Sequence, residues 1–229
     1  MTLDDALAAL EALVEPGRAG GMAAYHKVDR PYLGIPNPAI NDLTKGWRNE
    51  LTIDEQVELA RALWGTNIFE ARLAAAKLLT KARYRPDQEV WDLIASWVPD
   101  FDSWAIVDHA CMAGQKRLVM DPSRVDEVEE WTKSEHMWTR RAALVITLPW
   151  AKKNFPKPQD LEIRERVLDW AASYVEDRQW FIQKAIAWWV RDLSKHDAER
   201  AQAFLDAFGD RMKPFARKEA ARHLPTKAL

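Results

Sequence analysis

The sequence predicts an all-α protein, a right-handed solenoid of antiparallel helix pairs with a basic concave groove, and three observations carry that expectation. First, an aromatic residue recurs in one register at Phe69, Trp104, Trp138, Phe181 and Phe215, at spacings of 35, 34, 43 and 34 residues. Periods of that size belong to stacked helix pairs. Second, a more acidic segment precedes each aromatic and opens at or near Asp54, Asp87, Asp121, Asp160 and Asp197, which stand 33, 34, 39 and 37 residues apart. Asp suits both an N-cap and the positive end of the helix dipole. Third, Gly is scarce, at 8 of 229 residues, while Ala, Leu, Glu, Lys and Arg dominate. That composition forms helices, and no strand is expected.

Taken in order, residues 3–14 predict one amphipathic helix and Met22 to His26 close a second. Tyr32 to Pro36 form a turn, after which Asn37 and Pro38 read as an N-cap and first helical residue, opening a helix to about residue 49. Residues 1–50 together form an atypical cap on one end of the stack, as terminal repeats commonly do. Five helix pairs fill 51–224: 54–65 with 69–82, 87–97 with 101–116, 121–132 with 136–149, 160–174 with 179–195, and 197–208 with 214–223. The irregular insert from Lys152 to Pro158, with two prolines and three lysines, accounts for the 43-residue spacing. The whole of 1–229 is expected to be one repeat domain, with 225–229 as a flexible tail.

A chain with 48% hydrophobic residues can bury a sizeable core. Most of its 12 Trp residues are expected there, because large aromatics contribute much buried area at helix contacts. The lone Cys111 excludes an internal disulfide, the N-terminus shows no basic leader with a long apolar run, and no stretch approaches membrane-spanning length. A cytoplasmic protein without membrane contact is expected. His26, His109, His136, His196 and His223 are scattered, and His109 with Cys111 lacks zinc-site spacing, so no metal is expected. Nor is there a phosphate-binding loop, a dinucleotide fingerprint or a serine elbow, and no cofactor is expected.

Net charge is −2, yet the charges segregate. The aromatic-led helices place Arg72, Arg140, Arg141, Lys184, Arg217 and Lys218 in their first two turns, whereas Asp121, Asp126, Glu127, Glu129 and Glu130 cluster on a helix of the opposite layer. Cations in a first turn oppose the helix dipole unless an anion is present, so a polyanion suits this face. Four residues after each aromatic the array reads Leu73, Asp108, Ala142, Ala185 and Glu219. Asp108 shares a helix face with Trp104, Arg141 occupies the matching face of the next repeat, and Trp188 lies two turns beyond Phe181. Two readings of Asp108 stand side by side: a buried ion pair with Arg141 that fixes repeat packing, or a functional carboxylate between two indoles.

These residues also carry a resemblance. The stretches Met22–His26 with Tyr32–Ile35, Ser103–Asp108, Trp138–Ala143, Phe181–Trp188 and Arg217–Ala220 resemble, in order and spacing, the AlkD family, bacterial DNA glycosylases for alkylated purines built from HEAT-like repeats. The likeness runs from about Met22 to His223. It implies that Asp108 is the catalytic carboxylate and that Trp104 and Trp188 pack on the deoxyribose and backbone around the lesion. It further implies that Tyr25 and Arg141 contact DNA nearby; the charge pattern adds Arg72, Arg140, Lys184, Arg217 and Lys218 as expected DNA-binding cations. Trp180, Trp189 and Arg140 are extra residues beside matched positions.

The implied reaction suits the residues. An N3- or N7-alkylpurine is cationic and already an activated leaving group, so one carboxylate can stabilise an oxocarbenium-like sugar and position water without a general acid. The resemblance implies base excision from duplex DNA without extrusion of the base into a pocket, by a monomer. A noncatalytic DNA binder on the same repeats, or a protein-interaction scaffold, are the alternatives; the scaffold gives no reason for a carboxylate at the position of Asp108.

Overall fold

The computed structural model describes residues 1–225; apart from Pro225, the tail expected at 225–229 lies outside the described residues. Contacts divide the chain into two compact units, Met1–Met120 and Asp121–Leu229. The described residues are helical and contain no strand.

The first unit contains α1 (Leu3–Glu11), α2 (Arg18–His26), α3 (Asn37–Glu50), α4 (Ile53–Gly65), α5 (Phe69–Leu78), α6 (Gln88–Ser96) and α7 (Trp104–Met120). The aromatic-led α5 and α7 pack on one another and α5 also packs on α3, while α4 packs on α6. These contacts form the two layers expected of helix pairs. Trp64 of α4 stacks on Trp97, with centroids 4.2 Å apart and planes at 5°, and both indoles are buried. Burial of large apolar side chains of this kind contributes about 1.5–3 kcal/mol each.

The segment ahead of the repeats is tied down by one carboxylate. Glu70, fully buried in the first turn of α5, accepts from the backbone N–H groups of Leu33 (2.9 Å), Gly34 (2.6 Å) and Ile35 (3.2 Å). Gly34 has φ +90°, and a Cβ there would stand 2.8 Å from the backbone nitrogen of Ala19, so only glycine lets this turn lie against α2. The turn thereby fixes α2, and with it Tyr25 and His26, against α5.

The second unit contains α8 (Val125–Trp131), α9 (Met137–Ile146), α10 (Leu148–Ala151), α11 (Pro158–Ser173), α12 (Trp180–Leu193), α13 (Ala198–Phe208) and α14 (Pro214–Ala220). Here α12 packs on both α9 and α14, so its aromatic-led helices again share a layer. Trp150 and Trp189 are fully buried within the unit.

Several expected boundaries are corrected. Thr52, not Asp54, caps α4: its hydroxyl accepts from Glu55 N at 3.3 Å and Glu55 returns to Thr52 N at 2.8 Å. This reciprocal box satisfies two donors where Asp54 would satisfy one. Likewise Pro36, not Asn37, occupies the cap position of α3. Asp160 lies inside α11 and accepts from the indole N–H of buried Trp150 at 3.1 Å, whereas Asp197 does cap α13 through Arg200 N at 3.0 Å. The helix expected over 69–82 stops at Leu78, because buried Arg117 takes the Lys81 and Ala82 carbonyls at 2.7 and 2.9 Å and holds that stretch as loop. The helix expected over 136–149 breaks at Thr147, whose hydroxyl donates to the Ala143 and Leu144 carbonyls, ahead of Pro149.

Candidate functional site

In the first unit, Trp104 opens α7 and Asp108 follows one turn later, so the two share a face. Both are half-buried, whereas the residues at the register of Asp108 in other repeats are buried: Leu73 at 4%, Ala142 at 0% and Ala185 at 2% exposed. Tyr25, largely exposed, meets the Trp104 ring edge-on at 6.1 Å. His26 lies between them and the core, 5.4 Å from Trp104 and 4.3 Å from Phe69. A cleft of about 560 Å³ opens beside these rings, lined by Met22, Tyr25, His26, Phe69, Leu73, Trp104 and His109; Asp108 does not line it.

Burial disfavours the charged form of both histidines of this region. Burial pushes His26 below its ordinary value. Burial, aided by the charge of Lys77, pushes His109 down to about 4, and its Nδ1 donates to the Ala105 carbonyl at 2.7 Å. Sequence spacing gives neither His26 nor His109 a place in the site, yet both line the same cleft as Trp104. Adjacent aromatic registers, Phe69 and Trp104, were the available signal.

Arg72, expected among the DNA-binding cations, is buried. Its guanidinium is buried over the Trp64 ring at 4.7 Å, and it donates to the carbonyls of Trp64 (3.3 Å) and Asp100 (3.4 Å). The register gave the correct turn of α5, but the first-turn position faces the neighbouring layer.

In the second unit, Trp188 is half-buried and donates its indole N–H to Asp192 at 3.0 Å, while Lys152 binds the same carboxylate at 3.2 Å. Trp189, one residue on, is fully buried. Arg141 is 3% exposed, packs over the Phe181 ring at 5.8 Å and donates to the Phe181 carbonyl at 3.0 Å. Arg140 pairs with Asp177 at 3.0 Å. Lys184 pairs with Glu219, which also holds Arg191 at 2.6 Å. Glu219 is thus the other carboxylate at the register of Asp108, and it is occupied by two cations. Arg217 and Lys218 are exposed; Arg217 reaches Asp210 at 2.6 Å, and Lys218 has no ion pair among the described residues. Of the six cations expected on the basic face, Arg140, Lys184 and Arg217 are each paired with an acid, and Lys218 is exposed without an ion pair among the described residues.

The N-termini in this layer differ from those of the opposite layer. α9 and α12 begin with neither a side-chain cap nor an acid in the first turn, whereas α11 and α13 begin with acids that accept from their first amides. Uncapped N–H groups and the positive dipole end remain available for an anion. No cluster of three or more metal-ligating side chains occurs among the described residues, and no described helix is long and apolar enough to cross a membrane.

The profile of the DNA alkylation repair enzyme family matches residues 6–224. No curated protein matches the chain. Among solved structures, a predicted DNA alkylation repair enzyme from Enterococcus faecalis is similar at 23% identity and a TM-score of 0.77, covering 94% of this chain and 98% of its own. AlkD2 from Streptococcus mutans is similar at 17% identity and a TM-score of 0.66, covering 98% and 100%. The fold is accordingly that of the AlkD-type, HEAT-like helical repeats.

Proposed function

Because the chain belongs to the DNA alkylation repair enzyme family, we propose that it is a DNA glycosylase that excises cationic N3- and N7-alkylated purines from duplex DNA. The observation that carries this reading is Asp108: a half-buried carboxylate one turn from Trp104, at a register where other repeats bury Leu73, Ala142 and Ala185. Water attacks C1′ of the deoxyribose, the N-glycosidic bond breaks, and its electron pair passes to the purine nitrogen. The base leaves neutral, since the departing pair cancels its positive charge.

Asp108 stabilises positive charge on the sugar and accepts or orients the water proton. Trp104 packs on the sugar and backbone, where an indole face near a cation contributes about 0.5–2 kcal/mol, and Trp188 is a further indole contact to DNA. Trp188 is suited to this by its fixed orientation through Asp192. Tyr25, Arg217 and Lys218 are exposed and serve as DNA contacts; Arg140, Arg141 and Lys184 support the surface through their protein partners.

The test is incubation with methylated duplex DNA and chromatography of the released bases. Release of N7-methylguanine or N3-methyladenine is expected. Tight binding of the same DNA with no release would instead make the protein a noncatalytic DNA binder.

A further inference from the structure

We propose that Trp180, backed by Phe215, is a stacking seat for an unpaired nucleobase; this rests on the reading of the protein as a DNA binder. Trp180 opens α12 and is 50% exposed, the one exposed tryptophan among the described residues. An indole half exposed to water is unusual in a chain that buries seven of its other tryptophans.

The ring is nonetheless held in place. Phe215 lies nearly parallel to it, at 5.6 Å and 18°, and Phe181 meets it edge-on at 5.0 Å and 89°. The Lys184 ammonium stands 5.9 Å from the same ring. Exposed Arg178 lies two residues before it in sequence and exposed Lys218 one turn after Phe215, while the acids Asp177, Glu219 and Glu176 are paired with Arg140, with Lys184 and Arg191, and with Arg211. A protein partner would call for a broader apolar patch. A preordered ring with a cationic rim suits a nucleotide, the base on the π-face and its phosphates on the cations.

Bases of an intact duplex are already stacked and cannot use such a seat. An unpaired base can, and excision itself creates one, opposite the abasic sugar. Trp180 would therefore favour the product duplex over the intact one.

The experiment compares anisotropy titrations of labelled matched duplex and of a duplex carrying a tetrahydrofuran abasic analogue opposite thymine, for wild type, Trp180→Ala and Trp180→Phe. Wild type is expected to prefer the abasic duplex by about tenfold, the order of one base–aromatic stack. Trp180→Ala should erase that preference with matched-duplex affinity and melting unchanged, and Trp180→Phe should keep most of it. Equal weakening on both duplexes, or no preference in wild type, would overturn the proposal while leaving DNA binding intact. Self-association that Trp180→Ala abolishes would overturn it in favour of a protein contact. Wild type that binds neither duplex would overturn the DNA reading itself, and this proposal with it.

Discussion

Trp188 and Trp189, one residue of rotation apart, differ sharply in burial. The first is half-buried with its N–H on Asp192; the second is fully buried. Trp189→Ala is expected to destabilise by about 3–5 kcal/mol, the cost of emptying a large buried aromatic site. Trp188→Ala should cost much less and should slow excision instead, which melting curves and single-turnover release on both variants measure. A second residue-scale expectation concerns His109. Its value falls from the ordinary 6.5 to about 4 in the folded protein, so between those pH values the unfolded chain binds a proton that the folded chain refuses. Stability is therefore lost as pH falls through that window, by up to about 3 kcal/mol. His109→Gln should flatten that part of the profile, as urea midpoints at pH 7 and 4.5 would show; an unchanged slope would place the effect elsewhere. At this scale the face shared by Trp104 and Asp108 and the inward turn of Trp189 were legible from periodicity. The burial of Arg72 and Arg141 was not, because periodicity assigns a side chain to a helix face but not to a partner on the neighbouring helix.

At the scale of the element, the aromatic register located the second helix of every pair. Phe69 and Trp104 begin α5 and α7, and Trp138, Phe181 and Phe215 are the second residues of α9, α12 and α14. The first helices were less legible at their ends, because Thr52 with Glu55 outcompeted Asp54, and Asp160 was drawn into a bond with the Trp150 indole. Neither competition is visible in spacing alone: each depends on what the acid meets. Loop conformation was least legible, since Arg117 and Glu70 act from distant helices on backbone they do not adjoin in sequence. Glu70→Ala would leave three backbone donors without their carboxylate. It should destabilise by about 2–4 kcal/mol, and hydrogen exchange should rise first at residues 33–35. Uniform loss of protection across the first unit would show that the turn is not a separately anchored element.

For the whole molecule, a net charge of −2 and a DNA-directed reading are compatible only if few exposed cations make the contacts. The local pairing of Arg140 and Lys184 limits how many are available. The logarithm of DNA affinity should fall with log salt by about 0.9 for each phosphate neutralised, and Lys218→Ala should reduce the slope by about one such increment. Arg72→Ala should lower the melting temperature instead, since its guanidinium is packed over Trp64. The central claim is that Asp108 carries base release, and it is tested by replacing only its charge. Single-turnover release of N7-methylguanine from methylated duplex should be lost in Asp108→Asn, while its melting temperature and DNA affinity stay close to wild type. Release at the wild-type rate, or loss of folding in place of loss of release, would contradict the account.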